Sequence, residues 1–239
     1  MTDSFLDLCA KRVLTSKKVQ HVPLAYVKKL VQAELSKERG LRALLTQPLL
    51  DERVFRRKRV KTFLRRVRGL LFERVGMYRS RQNKARHELL NELQHLSASQ
   101  LPRLCEKALR LHSSSRERLS FYEELYRQNF FRTGVPSTIL DVGCGLNPFS
   151  LPFMRLPPVQ YTALDLNEED CVLVKIFFRH LPRGSLLRGT VWCDDITNPA
   201  TLQRISQRSS FDVCFLFKMA EVVERKKGHA LFEALLRTI

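Results

Sequence analysis

From Pro23 to about Leu111 the apolar positions recur at three- and four-residue steps, with almost no strand-like alternation. Val60, Phe63, Leu64, Val67, Leu70, Leu71, Val75 and Tyr78 form one stripe of an amphipathic helix. Further on, Ser114 followed three positions later by Glu117 reads as a capping box. It predicts a helix from there to about Phe131, ended by Thr133-Gly134-Val135-Pro136. The texture then changes. Short apolar runs at Thr138–Val142, Gln160–Leu166, Thr190–Cys193 and Phe211–Phe217 are rich in strand formers, and three are followed by helical segments. That alternation predicts a parallel, doubly wound sheet. The expected division is an all-α domain over 1–110 and an α/β domain over 111–239.

Charge adds a second contrast. Of the formal net charge of +18, residues 1–110 carry +16 and the remainder +2. Arg56, Arg57, Lys58, Arg59, Lys61, Arg65, Arg66 and Arg68 put eight cations into thirteen residues with no acid among them. A solvated basic face is the plain reading of a charge run. Eight unscreened cations repel one another, however, and a polyanion relieves that repulsion, so nucleic-acid contact is expected here. A membrane surface or a calmodulin-type groove would also accept a basic amphipathic helix.

The six cysteines are scattered without a CxxC pair, and no histidines stand at metal-ligand spacing beside them. Several lie in apolar runs, where a reduced thiol behaves as a small hydrophobe. A reducing cytoplasm and no metal are expected. No apolar run approaches the ~20 residues of a membrane span, so no membrane partner is expected.

The chemistry concentrates at LDVGCGLNPFSLP, residues 140–152. After a strand, Gly143 and Gly145 allow a sharp turn and the close approach of a ligand. A dinucleotide fold would supply a third glycine and seat pyrophosphate on the helix N-terminus. Here Asn147 and Pro148 follow instead, suited to capping and opening a helix. Asp165 ends the second apolar run about twenty residues later, where a carboxylate accepts ribose hydroxyls. Asp195 and Ile196 end the third, placed for an adenine amino group and ring face. Each aspartate alone is more simply a helix cap. Asp141, Asp165 and Asp195 at the ends of three successive strands describe an adenosine pocket without a phosphate site. S-adenosylmethionine suits it better than a dinucleotide.

HSSSRERL, ILDVGCGLNPFSL, the strand ending in Asp165 and FLFKM resemble the aminoglycoside-resistance 16S rRNA (guanine-N7) methyltransferases. The likeness covers about residues 105–225, with LTSKK (14–18) a weaker trace of the family's helical rRNA-binding domain. It implies a Rossmann-like S-adenosylmethionine-dependent methyltransferase domain behind a basic helical domain, acting on the small ribosomal subunit. It also implies that Arg118 pairs with the cofactor carboxylate, and that Gly143 and Gly145 line its methionine and ribose. Asp165 would hold the ribose hydroxyls, Asp195 and Ile196 would frame the adenine, and Phe217 and Lys218 would face the target base. Guanine N7 carries a lone pair and no proton, so no catalytic base is expected.

The sequence departs from the family twice. Ala220-Glu221 replace the Leu-Pro that usually follows FLFKM, and only four strands are legible before Ile239, as in a C-terminally truncated relative. A chain ending there would leave Phe211–Phe217 as an uncovered edge presenting Val213, Phe215 and Phe217 beside a helix at Lys227–Arg237. Weak cofactor binding, self-association and poor methylation are the expectations. A degenerate RNA-binding protein, or a methyltransferase for another RNA base, are the alternatives.

Overall fold

The computed structural model describes residues 4–16, 19–20, 22–43, 52–72, 83–95, 97–181, 184, 188–208, 211–217, 219, 233 and 236–237. The chain divides into two compact units, Met1–Met77 and Tyr78–Ile239.

The described part of the first unit is helical throughout. It comprises α1 (Phe5–Leu14), α2 (Leu24–Leu35), the single turn α3 (Arg39–Arg42), a 3-10 turn (Glu52–Arg56) and α4 (Lys58–Leu71). Ser4 and Asp7 form a reciprocal capping box that starts α1. Val60, Phe63, Leu64, Val67 and Leu71 face a core shared with Phe5, Val13, Val31 and Leu35. The apolar stripe expected along α4 therefore holds as far as Leu71, while Val75 and Tyr78 lie outside the described residues.

Helices α5 (Asn83–Gln94) and α6 (Leu101–Arg110) belong to the second unit, not with the N-terminal helices as a boundary near residue 111 would have it. Leu89, Leu93, Leu104 and Leu109 enter the same buried cluster as Tyr122, Phe149 and Phe177. Periodicity shows which face of a helix is apolar, but not which core receives it. The long helix expected from Ser114 is in fact two, α7 (Ser113–Arg118) and α8 (Tyr122–Thr133). α7 begins without a side-chain cap. The Ser114 hydroxyl instead accepts from the Arg118 guanidinium at 2.8 Å.

The sheet has four parallel strands in the order β3-β2-β1-β4. They are β1 (Thr138–Val142), β2 (Gln160–Asp165), β3 (Arg188–Cys193) and a short β4 (Val213–Phe215). Strand alternation divides the apolar residues between two faces. Ile139, Tyr161 and Ala163 join α5, α6, α8 and α9 (Glu168–His180) in the larger cluster. Leu140, Val142 and Leu164 join Trp192, Ile196 and Ile205 of α10 (Pro199–Ser206) in the smaller one.

At the entrance to β4 the Asp212 carboxylate accepts from the backbone N–H of Ser137 (2.7 Å) and Thr138 (2.9 Å), fastening β4 to β1. The side chains expected to be presented at this edge are packed: Phe215 is buried, and Val213 and Phe217 lie against the same core. Side chains of a strand point to the two faces of the sheet, so an edge exposes backbone rather than side chains. Apart from residues 233, 236 and 237, the helix expected at Lys227–Arg237 lies outside the described residues. Among the described residues no helix is long and apolar enough to cross a membrane.

Candidate cofactor pocket and nucleic-acid face

Two glycines turn the chain at the carboxyl end of β1. Gly143 and Gly145 have φ of +65° and +50°, conformations in which an L side chain is strained. Both are also short of room. A Cβ on Gly143 would fall 2.1 Å from the Met219 sulfur, and one on Gly145 would fall 3.1 Å from His112 Nε2. The N–H groups of Gly143 (2.8 Å) and Cys144 (3.1 Å) donate to the Leu164 carbonyl, which ties the turn to the end of β2.

Asp165 closes β2 beneath this turn. One carboxylate oxygen accepts from Gly145 N–H (2.7 Å), the other from Asn167 N–H (2.7 Å). Burial pushes its pKa up to about 6, and the neighbouring Asp170 pushes the same way. Asp170 is held by a buried ion pair with Arg86 of α5 and by Asn167 Nδ2 (2.8 Å). A relay therefore runs from Arg86 through Asp170 and Asn167 to Asp165. No sequence signal singled out Arg86 or Asp170.

Asp141 is turned into the fold. It is 1% exposed, and its Oδ2 accepts from Asn147 Nδ2 (2.9 Å) and Tyr161 O–H (2.6 Å). Burial pushes it up to about 6 as well. Asn147, expected to cap a helix, is instead the hub beneath the turn. Its Oδ1 accepts from Tyr122 O–H (2.8 Å) and, at 3.4 Å, from Arg118. The segment after it is an irregular 3-10 coil, Asn147–Met154, with Pro148 in its first turn.

Arg118 is 9% exposed. Its guanidinium reaches Ser114 and Asn147 and lies 4.3 Å from the Phe217 ring centroid, yet its Nε has no partner. No carboxylate ion-pairs with it among the described residues. A buried guanidinium with a free donor, beside two close-approach glycines and a ribose-type aspartate, fits an amino-acid carboxylate attached to a nucleoside. S-adenosylmethionine has those parts.

Other expected site residues stand differently. Asp195 turns its carboxylate back onto Thr197 N–H (2.9 Å), the simple turn role, while Ile196 is buried against Leu164 and Trp192. Phe217 stacks on Phe215 (5.2 Å) and supports Arg118 instead of standing open. Lys218 lies outside the described residues. No group of three metal-ligating side chains occurs among the described residues.

The cations of residues 56–68 divide into two sets. Arg68 donates to the Arg12 and Val13 carbonyls at the end of α1, so it caps a helix. Arg66 pairs with Glu38 (2.7 Å) and Glu34 (3.6 Å), and Arg59 approaches Glu38 at 3.9 Å. Arg56, Arg57, Lys58, Lys61 and Arg65 are exposed and have no acidic partner among the described residues.

Comparison with known proteins agrees with this architecture. Over 193 residues the chain is 29% identical to the 16S rRNA (guanine(1405)-N(7))-methyltransferase of Proteus mirabilis, covering 74% of this chain and 65% of that relative. The enzyme of the same name from Micromonospora olivasterospora is 28% identical over 125 residues, 51% of this chain and 39% of its own length. The chain thus spans just under two thirds of the first relative and less of the second. Among solved structures, the 16S rRNA methylase RmtB aligns with a TM-score of 0.69 at 20% identity over 99% of this chain and 81% of its own. The 16S rRNA methyltransferase RmtF, solved with S-adenosyl-L-homocysteine, aligns with a TM-score of 0.67 at 24% identity over 100% of this chain and 78% of its own. At that identity the likeness establishes the fold alone, a Rossmann-like α/β domain with a helical N-terminal region. The model of the family described as ribosomal RNA methyltransferase (FmrO) matches residues 52–236, well over half of the sequence, and the chain belongs to that family.

Proposed function

We propose that this chain binds S-adenosylmethionine at the β1–β2 end of its sheet and methylates N7 of a guanine in the decoding site of 16S rRNA, the change that gives aminoglycoside resistance. The observation that carries the reading is Arg118, a buried guanidinium with an unpartnered Nε. The names of the relatives supply the substrate and the target atom.

When bound, the cofactor supplies an electrophilic methyl group. Arg118 holds its carboxylate, with Ser114, Asn147 and Phe217 fixing the guanidinium so that little is lost on binding. Asp165 holds the ribose, and the backbone at Gly143 and Gly145 meets the remainder once the Met219 and His112 side chains that pack over it give way. No residue is needed to take a proton from N7. Positioning is the enzyme's contribution, and alignment of this kind supplies roughly 7–11 kcal/mol. Residues 1–77, with the unpaired cations of α4, form the rRNA-docking unit through phosphate contacts.

The experiment combines calorimetry with S-adenosylmethionine and transfer of labelled methyl groups to small ribosomal subunits, the modified nucleotide then being mapped. Stoichiometric cofactor binding and N7 methylation of one guanine are expected. Absence of cofactor binding rejects the pocket, and methylation of another atom or RNA rejects the substrate. Binding without transfer leaves an RNA-binding protein that holds cofactor.

A further inference from the structure

Strand β3 is the outer strand on its side of the sheet, and three arginines gather along it. Arg188 opens the strand, is exposed, and has no acidic partner among the described residues. On α10, the Arg204 guanidinium lies 4.0 Å from the Trp192 ring centroid. Just beyond that helix, the Arg208 guanidinium lies 4.9 Å from the same centroid. Arg208 Nη1 also donates to Thr162 Oγ1 at 3.2 Å. Among the described residues only Arg204 of the three has a carboxylate, Asp194 at 3.2 Å. Burial pushes the Arg208 pKa down, and the charges of Arg188 and Arg204 push it further. Arg188, Thr190 and Trp192 alternate onto one face of β3, and Thr190 pairs in register with Thr162, which Arg208 bonds, so the three guanidiniums share one stretch of that face.

A charged outer strand protects a sheet against adding another strand, and that purpose accounts for Arg188. It does not account for Arg208, which lies over the face of the sheet and not along its edge. Two adjacent guanidiniums without a carboxylate leave forked donors that a phosphate fits. Trp192 is only 2% exposed, so its ring serves the arginines and offers no platform on which a base could stack. The patch therefore suits a nucleic-acid backbone and is blind to sequence.

We infer that Arg188 and Arg208 form a phosphate-binding site for the RNA backbone on the sheet unit, separate from the cations of α4. The inference rests on the proposed RNA substrate and deepens it: the RNA is held by both units. Arg188 stands at the amino end of β3, whereas the cofactor groups stand at the carboxyl ends of the strands, so the site tethers RNA without touching the reacting atoms.

The test uses the full chain with Arg188→Ala, Arg188→Glu, Arg208→Gln and the Arg188→Ala/Arg208→Gln pair. Affinity for small ribosomal subunits is measured against salt, and cofactor affinity by calorimetry. The salt slope is expected to become shallower by about 0.9 for one lost phosphate contact and about 1.8 for two, with cofactor affinity unchanged. Trp192 is the single tryptophan of the chain, so its emission is expected to change saturably with an RNA hairpin, at higher RNA concentration in Arg188→Ala. Arg188 is exposed, so Arg188→Glu tests the site even if Arg208→Gln unfolds. Wild-type affinity and salt slope in Arg188→Glu overturn this inference alone. A wild-type chain that binds no subunits overturns the RNA-binding reading and this inference with it.

Discussion

Over residues 56–68, Arg56, Arg57, Lys58, Lys61 and Arg65 stand in solvent without an acidic partner among the described residues, whereas at the head of the sheet Arg86, Arg118, Asp141 and Asp170 are buried and bonded within the fold. The first arrangement keeps charge free for a partner that arrives from solution. The second uses its charge within the fold and leaves three guanidinium nitrogens unpartnered, Nε and Nη2 of Arg86 and Nε of Arg118, of which Arg118 Nε stands beside the glycine turn. Exposed charge therefore sets how the chain meets a polyanion, and buried charge sets what geometry a small ligand finds. The same residue type, arginine, does both.

The contrast is broken most directly at Arg86. Arg86→Met leaves Asp170 buried without its cation and is expected to destabilise the second unit by roughly 3–5 kcal/mol. Arg57→Met on the exposed face is expected to stay within about 0.5 kcal/mol of wild type. Denaturant melts of the two variants check this, and equal losses would erase the distinction between the two regions.

Cofactor affinity comes next. Arg118→Ala and Asp165→Ala each remove a charge-assisted contact and are expected to weaken S-adenosylmethionine binding by about 1.5–3 kcal/mol. Calorimetry reads this, and unchanged affinity in both variants would dismiss the pocket. Arg118→Lys is not expected to restore affinity, because a point charge does not reproduce the fork held by Ser114 and Asn147.

On the other side of the comparison, replacing Arg56, Arg57, Lys58 and Lys61 together by alanine is expected to make the salt slope of subunit binding shallower by at most ~0.9 per contact in the duplex limit. Arg68→Ala is expected to lower the stability of the first unit and leave the slope alone, since its donors serve the end of α1. A changed slope for Arg68→Ala would return it to the RNA face.

The finest effect is one of pH. Asp141 and Asp165 are both raised to about 6 by burial, from an ordinary value near 4. Between pH 4 and 6 the folded chain holds protons that the unfolded chain has released. These two groups therefore lower stability as pH rises through that window and have a level effect above it. Cofactor affinity should move the opposite way. The ionised Asp165 accepts both ribose hydroxyls, so affinity is expected to climb up to about tenfold per pH unit below 6 and to flatten above it. Calorimetry across pH 5–8 tests the trend, and a flat profile would show that Asp165 does not meet the ligand.

Three of the four strands were legible because a glycine or aspartate ends the apolar run, and β1 falls where the pattern placed it, at Thr138–Val142, whereas β4 takes only Val213–Phe215 of the run Phe211–Phe217. The division between units was not, because α5 and α6 carry apolar stripes as regular as that of α4 and differ only in the core that receives them. Ser114 and Asn147 were misread for a shared reason. Both are good cap residues locally, but Ser114 meets Arg118 one helical turn on, and the fold brings Arg118 within reach of the Asn147 side-chain oxygen. Arg66 and Arg68 looked like their neighbours in a basic run, and their use inside the first unit depends on Glu38 and on the end of α1, far away in sequence.

Because β1 lies between β2 and β4, its two partners reach it over very different lengths of chain. The Tyr161–Asp141 hydrogen bond closes 20 residues, whereas the Asp212 carboxylate meets Thr138 across 74. Pairing across the longer stretch pays more loop entropy and comes later, so β4 docks onto a β1–β2 pair already formed. Asp212 is then a latch on the last step: Asp212→Ala should speed unfolding while barely altering the folding rate, which the two limbs of a chevron plot would separate. A chain still emerging from synthesis would hold its central strand half-paired until residue 212 appears, and that interval is when it is most open to pairing with the wrong strand.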